Sequence, residues 1–222
     1  MFSRFLKVPL RLIKFPSDRN KLLVAFSNGD IEIQTLYGEI LQPKRYALFI
    51  EANEVCMKPC ATKIKFSIFF NEAFLVGWDN FNVSLFITSL SVPIKTWDLC
   101  FASEESKFCP KSNSMVDIQW SPYKSTVFFI LIGDDFFLFD LSINDHRPLI
   151  HEKIKRKFSS QESSKDQFLF DQDNGTFIFL SAEENKIFSS KKLTPSFFRS
   201  RFMSTYSDDI SLQKYIKNKM KR

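Results

Sequence analysis

The sequence predicts an all-β fold: a partial β-propeller of about four blades, each a four-stranded antiparallel sheet, followed by a C-terminal helix. Phe accounts for 27 of the 222 residues, against only 5 Gly, and aromatic residues favour pleated, half-buried surfaces. Short apolar runs recur along the chain, separated by turns rich in Asn, Asp and Gly. These turns also recur at a nearly constant interval, which indicates a repeated structural unit.

The chain contains four similar units. Each has an alternating strand, a denser apolar strand, a polar turn and a further strand. The equivalent turn residues Gly29, Asn80, Asp135 and Asn185 are spaced by 51, 55 and 50 residues. WD-type blades repeat at about 40–45 residues and kelch blades at about 50, so this spacing suits WD-type blades with extended loops. We expect the propeller to occupy residues 1–195, with blades at about 8–50, 60–98, 114–152 and 166–193.

The burial expected of the second strands supports this architecture. Residues 128–132 are apolar at every position, so both faces of that strand should be covered. In a propeller, neighbouring blades cover the two faces of each blade. A β-sandwich remains the alternative, although it requires frequent turns and no repeat of fifty residues.

Composition indicates a folded protein of the cell interior. Hydrophobic residues make up 44% of the chain and charged residues 25%, as is usual for globular proteins. The longest apolar run, residues 127–132, is too short to span a bilayer, so no membrane association is expected. Four Cys in a chain of this length favour a reduced, intracellular protein over a disulfide scaffold.

The positive charge is concentrated in the C-terminal tail. Residues 186–222 hold ten Lys and Arg against two Asp, which leaves 21 basic and 23 acidic residues elsewhere. A nucleic-acid-binding domain normally carries its basic surface on the folded body, so a nucleic-acid partner is not expected. The tail, residues 196–222, should contain an amphipathic helix over 208–221. Its apolar stripe comprises Leu212, Tyr215, Ile216 and Met220. We expect such a helix to pack on the propeller; docking on an acidic partner, and after it binding to a membrane surface, are the alternatives.

The titratable residues do not form a catalytic pattern. Asp134 and Asp135 lie between two apolar runs, which predicts a hairpin turn. His146 and His151 follow the third unit, and we expect both to be solvated in a loop. The sequence has no nucleophile elbow, phosphate loop or zinc-protease motif, so we predict that the chain is not an enzyme.

The cysteines do not predict a metal site. Cys56 and Cys60 have a spacing seen in zinc sites, but Cys100 and Cys109 do not. We therefore expect neither a metal nor a cofactor.

Two stretches carry a family resemblance. The third unit contains Trp-Ser-Pro at 120–122, Val-Phe-Phe at 127–129 and Phe-Asp-Leu at 139–141, while the second contains Phe-Leu-Val-Gly-Trp-Asp-Asn at 74–80. These stretches resemble the late blades of dynein intermediate chains. The resemblance assigns a structural role to eight signature residues: Trp78, Asp79, Trp120, Ser121, Pro122, Phe128, Phe139 and Asp140. Phe139 stands where the family usually has Trp. The sequence also contains a Trp-Asp pair at Trp97-Asp98. It lies too far after the Asn80 turn to be the equivalent of the Trp-Asp that closes the third strand of a blade in this family.

The resemblance implies a non-catalytic scaffold subunit of a dynein motor. Within the family the pattern is most similar to the intermediate chain of cytoplasmic dynein-2, the retrograde motor of intraflagellar transport. Family propellers bind the N-terminal tail of a dynein heavy chain and help to pair two heavy chains in one motor, so the implied partners are a heavy chain and a second intermediate chain. Dynein light chains bind an N-terminal region of the family that has no counterpart here. The expected locations are the cytoplasm, the cytoskeleton and the cilium, and the chain is expected to be the C-terminal part of such a protein, or a truncated product.

Interface hot spots are enriched in aromatic residues and Arg. The candidate partner-binding residues are Trp120, Tyr123, Lys124, Arg147 and Tyr215. Two other functions remain open: a WD-repeat scaffold of a non-motor complex, and an RNA-associated β protein with a basic tail.

Overall fold

The computed structural model describes most of the chain in two compact units, Met1–Phe108 and Cys109–Arg222. The described residues are 8–41, 45–48, 58–100, 115–121, 124–132, 135–153, 167–171, 176–181, 186–189 and 212–221. They form four antiparallel sheets and one helix, with two sheets in each unit. The all-β prediction is therefore confirmed for this part of the chain.

The first sheet has the strand order β1-β2-β3. Its strands are β1 (Pro9–Lys14), β2 (Lys21–Phe26) and β3 (Ile31–Thr35). The turn between β2 and β3 contains Gly29 at φ +79°. A Cβ atom on this residue would lie 2.7 Å from the carbonyl oxygen of Pro59, so both the backbone conformation and the close contact require glycine.

Among the described residues, the first and fourth sheets have three strands rather than the four predicted for each blade. In the first sheet, two short segments pair with the outer edge of β3 instead. Ile31 and Tyr46 exchange two backbone hydrogen bonds, and the amide of Leu41 donates to the carbonyl of Ile33. The edge is satisfied without a regular fourth strand.

The second sheet has four strands in the order β4-β5-β6-β7. They are β4 (Ala61–Phe66), β5 (Ala73–Trp78), β6 (Asn82–Ile87) and β7 (Lys95–Asp98). Every residue of β5 is buried, as the dense apolar pattern predicts. In the core of this unit, Phe74 and Phe86 stack at 5.5 Å, and the ring of Tyr46 meets both edge-on.

The third sheet also has four strands, in the order β11-β10-β9-β8. They are β8 (Met115–Trp120), β9 (Val127–Ile132), β10 (Asp135–Asp140) and β11 (Ile150–Lys153). Every residue of β9 is buried, so both faces of this strand are covered as predicted. Every residue of β10 is buried as well.

Two predictions for the third sheet require correction. Asp135, expected in a turn, is the first residue of β10 and pairs with Ile132; Asp134 lies outside the described residues. His151, expected to be solvated in a loop, is exposed but lies in the strand β11, where its side chain keeps 28% of its surface accessible. The cause is pairing between β10 and β11, which places His151 opposite Phe137.

The fourth sheet has the order β12-β13-β14, with β12 (Gln167–Asp171), β13 (Thr176–Ser181) and β14 (Lys186–Ser189). The tail contains helix α1 (Leu212–Met220), whereas residues 208–211 of the predicted helix lie outside the described part. Leu212, Tyr215 and Ile216 are buried. Met220, expected on the same stripe, is 52% exposed, because it lies at the last helical position, beyond the buried contacts.

The arrangement of the sheets fits a partial propeller. In the first unit β1 contacts β4, and in the second β8 contacts β12, so the first strands of successive sheets are neighbours. Blades around a common axis place their first strands in this way. The WD type of the blades remains a prediction. Among the described residues, none forms a helix with the length and apolarity that a bilayer crossing requires.

Candidate functional site

Three signature residues form one row across the third sheet. Trp120 pairs with Phe128, and Phe128 pairs with Phe139. The rings of Phe128 and Phe139 stack at 5.0 Å with only 4° between their planes, while Trp120 meets Phe128 at 5.7 Å. Adjacent cross-strand aromatic residues stabilise a sheet, so these positions define the interior of one blade. Phe139 fills its place in that row without an indole N–H.

Asp140 lies next to this row and is completely buried. Its Oδ1 atom accepts hydrogen bonds from Thr126 Oγ1 at 3.0 Å and from the backbone N and Oγ of Ser142 at 2.9 and 2.6 Å. Its Oδ2 atom lies 3.2 Å from Lys124 Nζ. A buried carboxylate is stable only with such partners. The cluster therefore fixes the turn before β9 against the end of β10.

Ser121, the middle residue of the Trp-Ser-Pro element, closes the same turn. The amide of Ser121 donates to the carbonyl of Val127, and Ser121 Oγ accepts from the amide of Lys124 at 3.3 Å. Pro122 and Tyr123 lie outside the described residues. The structural role of this element remains a prediction.

The second sheet uses its signature residues differently. Trp78 is fully buried at the end of β5, and its indole N–H donates to Ser84 Oγ at 3.0 Å. Ser84 Oγ in turn lies 3.0 Å from Thr96 Oγ1, which links β5, β6 and β7. Asp79 exchanges hydrogen bonds with the backbone of Cys60. Trp97 lies in β7, the fourth strand, so the Trp97-Asp98 pair does not close the third strand of its blade.

The C-terminal helix is held to the second unit by polar contacts at both ends. The amide of Leu212 donates to Ser125 Oγ at 3.2 Å, which satisfies one of the unpaired donors of the first turn. The hydroxyl of Tyr215 donates to Asp145 Oδ2 at 3.0 Å, and Lys219 forms an ion pair with the same carboxylate. Burial, followed by the charge of Asp145, raises the pKa of Tyr215. A shallow cavity of about 210 Å³ lies beside these side chains, with His146 at its rim.

The structure places the five candidate partner-binding residues in different environments. Trp120 and Tyr215 are buried, the side chain of Lys124 is 14% exposed, and Tyr123 lies outside the described residues. Arg147 is exposed. Trp120, Lys124 and Tyr215 are therefore largely buried, whereas Arg147 is exposed. Partner binding by any of the five remains a prediction.

The histidines differ in environment. Nε2 of His151 lies 2.7 Å from Asp135 Oδ1, and its ring stacks on Phe137 at 4.5 Å. His146 is 74% exposed and lies 3.0 Å from Asp145. The Asp135–His151 pair joins β10 to β11, a stabilising contact for the outermost strand of the sheet.

Potential metal ligands are dispersed in the described part of the chain, where no three His, Cys, Asp or Glu side chains form a group able to hold an ion. The thiol of Cys60 donates to the carbonyl of Ser27. Burial is the main cause of its raised pKa, and the charge of Asp79 adds to it, so this cysteine is a weak nucleophile and a weak metal ligand. Cys56 and Cys109 lie outside the described residues.

Comparison with known proteins gives a distant relationship. No family model matches the chain. The chain is similar to a protein of Heliocidaris crassispina named "Dynein intermediate chain 2, ciliary", with 27% identity over 124 residues. That region covers 54% of this chain and 17% of the relative, so the chain corresponds to a minor part of the relative's length. The similarity supports a loose relationship to dynein intermediate chains and does not separate dynein-2 from other classes.

Sequence analysis missed the residues that surround the signature positions. Thr126 and Ser142 flank the ends of β9 and β10 and donate to Asp140; their hydroxyl groups beside a signature Asp were an available signal. It also missed Asp145, which lies 70 residues from Tyr215 in sequence. Such long-range pairing has no local sequence pattern.

Proposed function

We propose that this chain is a non-catalytic scaffold subunit of a dynein motor, of the intermediate-chain type. The observation that carries the proposal is the 124-residue similarity to a ciliary dynein intermediate chain. Within each unit the first strands of successive sheets are neighbours, as in propeller blades. This arrangement supports the proposal because propellers serve as rigid binding platforms. In this proposal, the blades bind the tail of a dynein heavy chain and, together with a second intermediate chain, help to pair two heavy chains in one motor.

We further propose that the motor is dynein-2, which would place the chain in the cytoplasm, on the cytoskeleton and in the cilium during retrograde intraflagellar transport. The Val-Phe-Phe triplet at 127–129, followed by a fourth unit and a terminal helix, supports this choice. These residues open β9, the buried second strand of the third sheet. The mechanism is binding, and no covalent chemistry is involved.

Affinity purification of the tagged chain tests the proposal. Mass spectrometry should identify a dynein heavy chain together with its light chains. Recovery of a non-motor complex would favour the alternative WD-repeat scaffold, and recovery of RNA that is lost as salt rises would favour the RNA-associated alternative.

A surface variant sharpens the experiment. Arg147 is exposed in the loop before β11, so Arg147→Glu should reduce heavy-chain recovery without unfolding the chain. Arg19→Glu changes the charge equally at another exposed position and is the matched control. Equal recovery of the heavy chain with both variants would show that Arg147 is not part of the proposed interface. The scaffold proposal would still be decided by whether the parent chain recovers a heavy chain.

A further inference from the structure

The turns after the first strands of the second and third sheets have the same hydrogen-bond pattern. In the second sheet, the amide of Ser67 donates to the carbonyl of Ala73 at 2.8 Å. In the third sheet, the amide of Ser121 donates to the carbonyl of Val127 at 2.9 Å. Both bonds join residues six positions apart, so the two turns correspond position by position.

The loop after the third strand is joined to this turn in both sheets. The amide of Thr88 donates to the carbonyl of Glu72 at 2.8 Å in the second sheet, and the amide of Leu141 donates to the carbonyl of Thr126 at 3.0 Å in the third. Because neighbouring strands are antiparallel, the turn and the loop lie at the same end of each sheet. The two sheets therefore present equivalent turns and loops at this end.

In the third sheet, α1 bridges the turn and the loop. The amide of Leu212, the first helical residue, donates to Ser125 Oγ in the turn at 3.2 Å. The hydroxyl of Tyr215 donates to Asp145 Oδ2 in the loop at 3.0 Å. Leu212, Tyr215 and Ile216 are buried. An amphipathic helix is therefore the element that this end of the repeated sheet holds within the chain itself.

The equivalent end of the second sheet is apolar and exposed. We call this end, residues 67–72 and 88–94, the end surface. Ile68 is 63% exposed, Phe69 44% and Val92 54%, and the described part of the first unit contains no helix that could cover them. Contiguous exposed apolar side chains mark interaction sites, so this surface is suited to a partner.

The backbone of the end surface favours a helix over a strand as the partner. The amides of Phe69 and Phe70 donate to Ser67 Oγ at 3.2 and 3.3 Å. An added strand requires free backbone groups along a sheet edge, whereas a helix binds through its apolar side chains. Asn71, which is exposed, occupies the turn position of Ser125, and its side-chain oxygen can accept from the first turn of a helix in the same way.

The partner helix must differ from α1 in its anchoring residues. On the third sheet, Tyr215 and Lys219 both reach Asp145. The corresponding loop of the second sheet, residues 88–94, contains no acidic residue and exposes Val92. Apolar residues at i, i+3, i+4 and i+7 on one side of the helix therefore fit this surface better than the polar anchors of α1.

The charge of the end surface favours a protein partner over a membrane or a nucleic acid. Neither 67–72 nor 88–94 contains Lys or Arg, and Glu72 adds a negative charge. Anionic membranes and phosphate backbones attract cationic side chains, which this surface does not supply.

We propose that the end surface of the second sheet is a docking site for an amphipathic helix of a partner protein. The helix presents apolar residues at i, i+3, i+4 and i+7 to Ile68, Phe69 and Val92. The proposal rests on the equivalence of two sheets within this chain and does not depend on the dynein assignment.

Fluorescence anisotropy of the full chain with a labelled helical peptide tests the proposal. The peptide is residues 207–222 carrying Tyr215→Leu and Lys219→Leu, so that positions 212, 215, 216 and 219 form the required apolar stripe. The unsubstituted peptide should bind more weakly, because its Tyr and Lys find no carboxylate in the loop of the second sheet.

A matched pair of triple variants locates the binding. The test variant replaces the three exposed apolar residues of the end surface: Ile68→Gln/Phe69→Gln/Val92→Gln. The control replaces three apolar residues of the same unit that are 45–65% exposed: Val8→Gln/Leu10→Gln/Leu12→Gln. The test variant should bind the peptide roughly tenfold or more weakly than the parent chain, and the control within about twofold.

Circular dichroism of each variant should match that of the parent, because the replaced side chains are exposed. If the triple test variant misfolds, Val92→Gln alone should still weaken binding roughly threefold. Absence of peptide binding to the parent, or equal losses in the test and control variants, would overturn the proposal. Binding to anionic vesicles, or a dimer of the chain, that is lost in the test variant would also overturn it, since the occupant would then be a membrane or a second copy.

Discussion

Asp140 provides the most demanding test of the blade structure, through the substitution Asp140→Ala. Its carboxylate is completely buried: Oδ1 accepts hydrogen bonds from Thr126 and Ser142 at 2.6–3.0 Å, and Oδ2 forms an ion pair with Lys124 at 3.2 Å. The substitution leaves the buried hydroxyl of Thr126 and the largely buried ammonium of Lys124 without this acceptor. Removing one partner of a buried pair costs about 3–5 kcal/mol, and we expect about 3 kcal/mol here because Lys124 can turn partly to solvent.

Hydrogen exchange measured by mass spectrometry locates this loss. A cost of about 3 kcal/mol corresponds to roughly a hundredfold lower protection of amides in β9 and β10. Protection in β5 and β6 of the first unit should not change. Asp98→Ala is the matched control, because the exposed Asp98 likewise accepts from the amide two residues on, that of Cys100 at 2.9 Å, and its loss should cost about 1 kcal/mol or less. Similar effects of the two substitutions would refute the assignment of Asp140 as the buried closure of the blade.

Three further outcomes are expected. Gly29→Ala should destabilise the chain by about 2–3 kcal/mol in urea denaturation, more than Gly38→Ala, because both glycines have positive φ but only the Gly29 Cβ would meet Pro59; equal costs would exclude the contact. The pKa of Tyr215 is raised in the folded chain, so the neutral phenol stabilises the fold. This stabilisation is complete below pH about 10, the pKa of an unfolded Tyr, and is lost as the pH rises from there through the folded-state pKa. Tyr215→Phe should therefore flatten the fall in unfolding free energy between pH 10 and 12, measured by circular dichroism, and an unchanged slope would contradict the burial of its phenol. Leu12→Lys on β1, an edge strand on which Leu12 is 65% exposed, should reduce aggregation measured by light scattering, with a stability change within about 0.5 kcal/mol; unchanged aggregation would show that this strand edge does not drive self-association.

The sequence predicted the strands well because their patterns are local. The uniformly apolar run in β9 predicted burial on both faces, and all six of its residues are buried. The outer edge of β3 could not be predicted in this way. It is covered by Tyr46, whose backbone pairs with Ile31. The side chain of Tyr46 is fully buried, and its hydroxyl donates to the carbonyl of Thr88. Because these two residues lie 42 positions apart in the sequence, their contact depends on tertiary packing and has no local pattern.

The candidate site likewise combines local features that the sequence predicts with long-range contacts that it does not. Aromatic residues such as Trp120 and Phe128 carry a family pattern, and their cross-strand contact follows from strand register. The burial of Lys124 did not follow from its sequence context, since a Lys beside a turn is usually solvated. Its position depends on Asp140, which lies 16 residues later in the chain, at the end of β10.

Direct binding to a purified dynein heavy-chain tail tests the central claim, that this chain is a scaffold subunit of a dynein motor. Size-exclusion chromatography with light scattering should detect a complex of defined stoichiometry between the two, and Arg147→Glu should weaken it relative to Arg19→Glu. Separate elution of chain and tail, under conditions in which a ciliary dynein intermediate chain binds its own heavy chain, would contradict the claim.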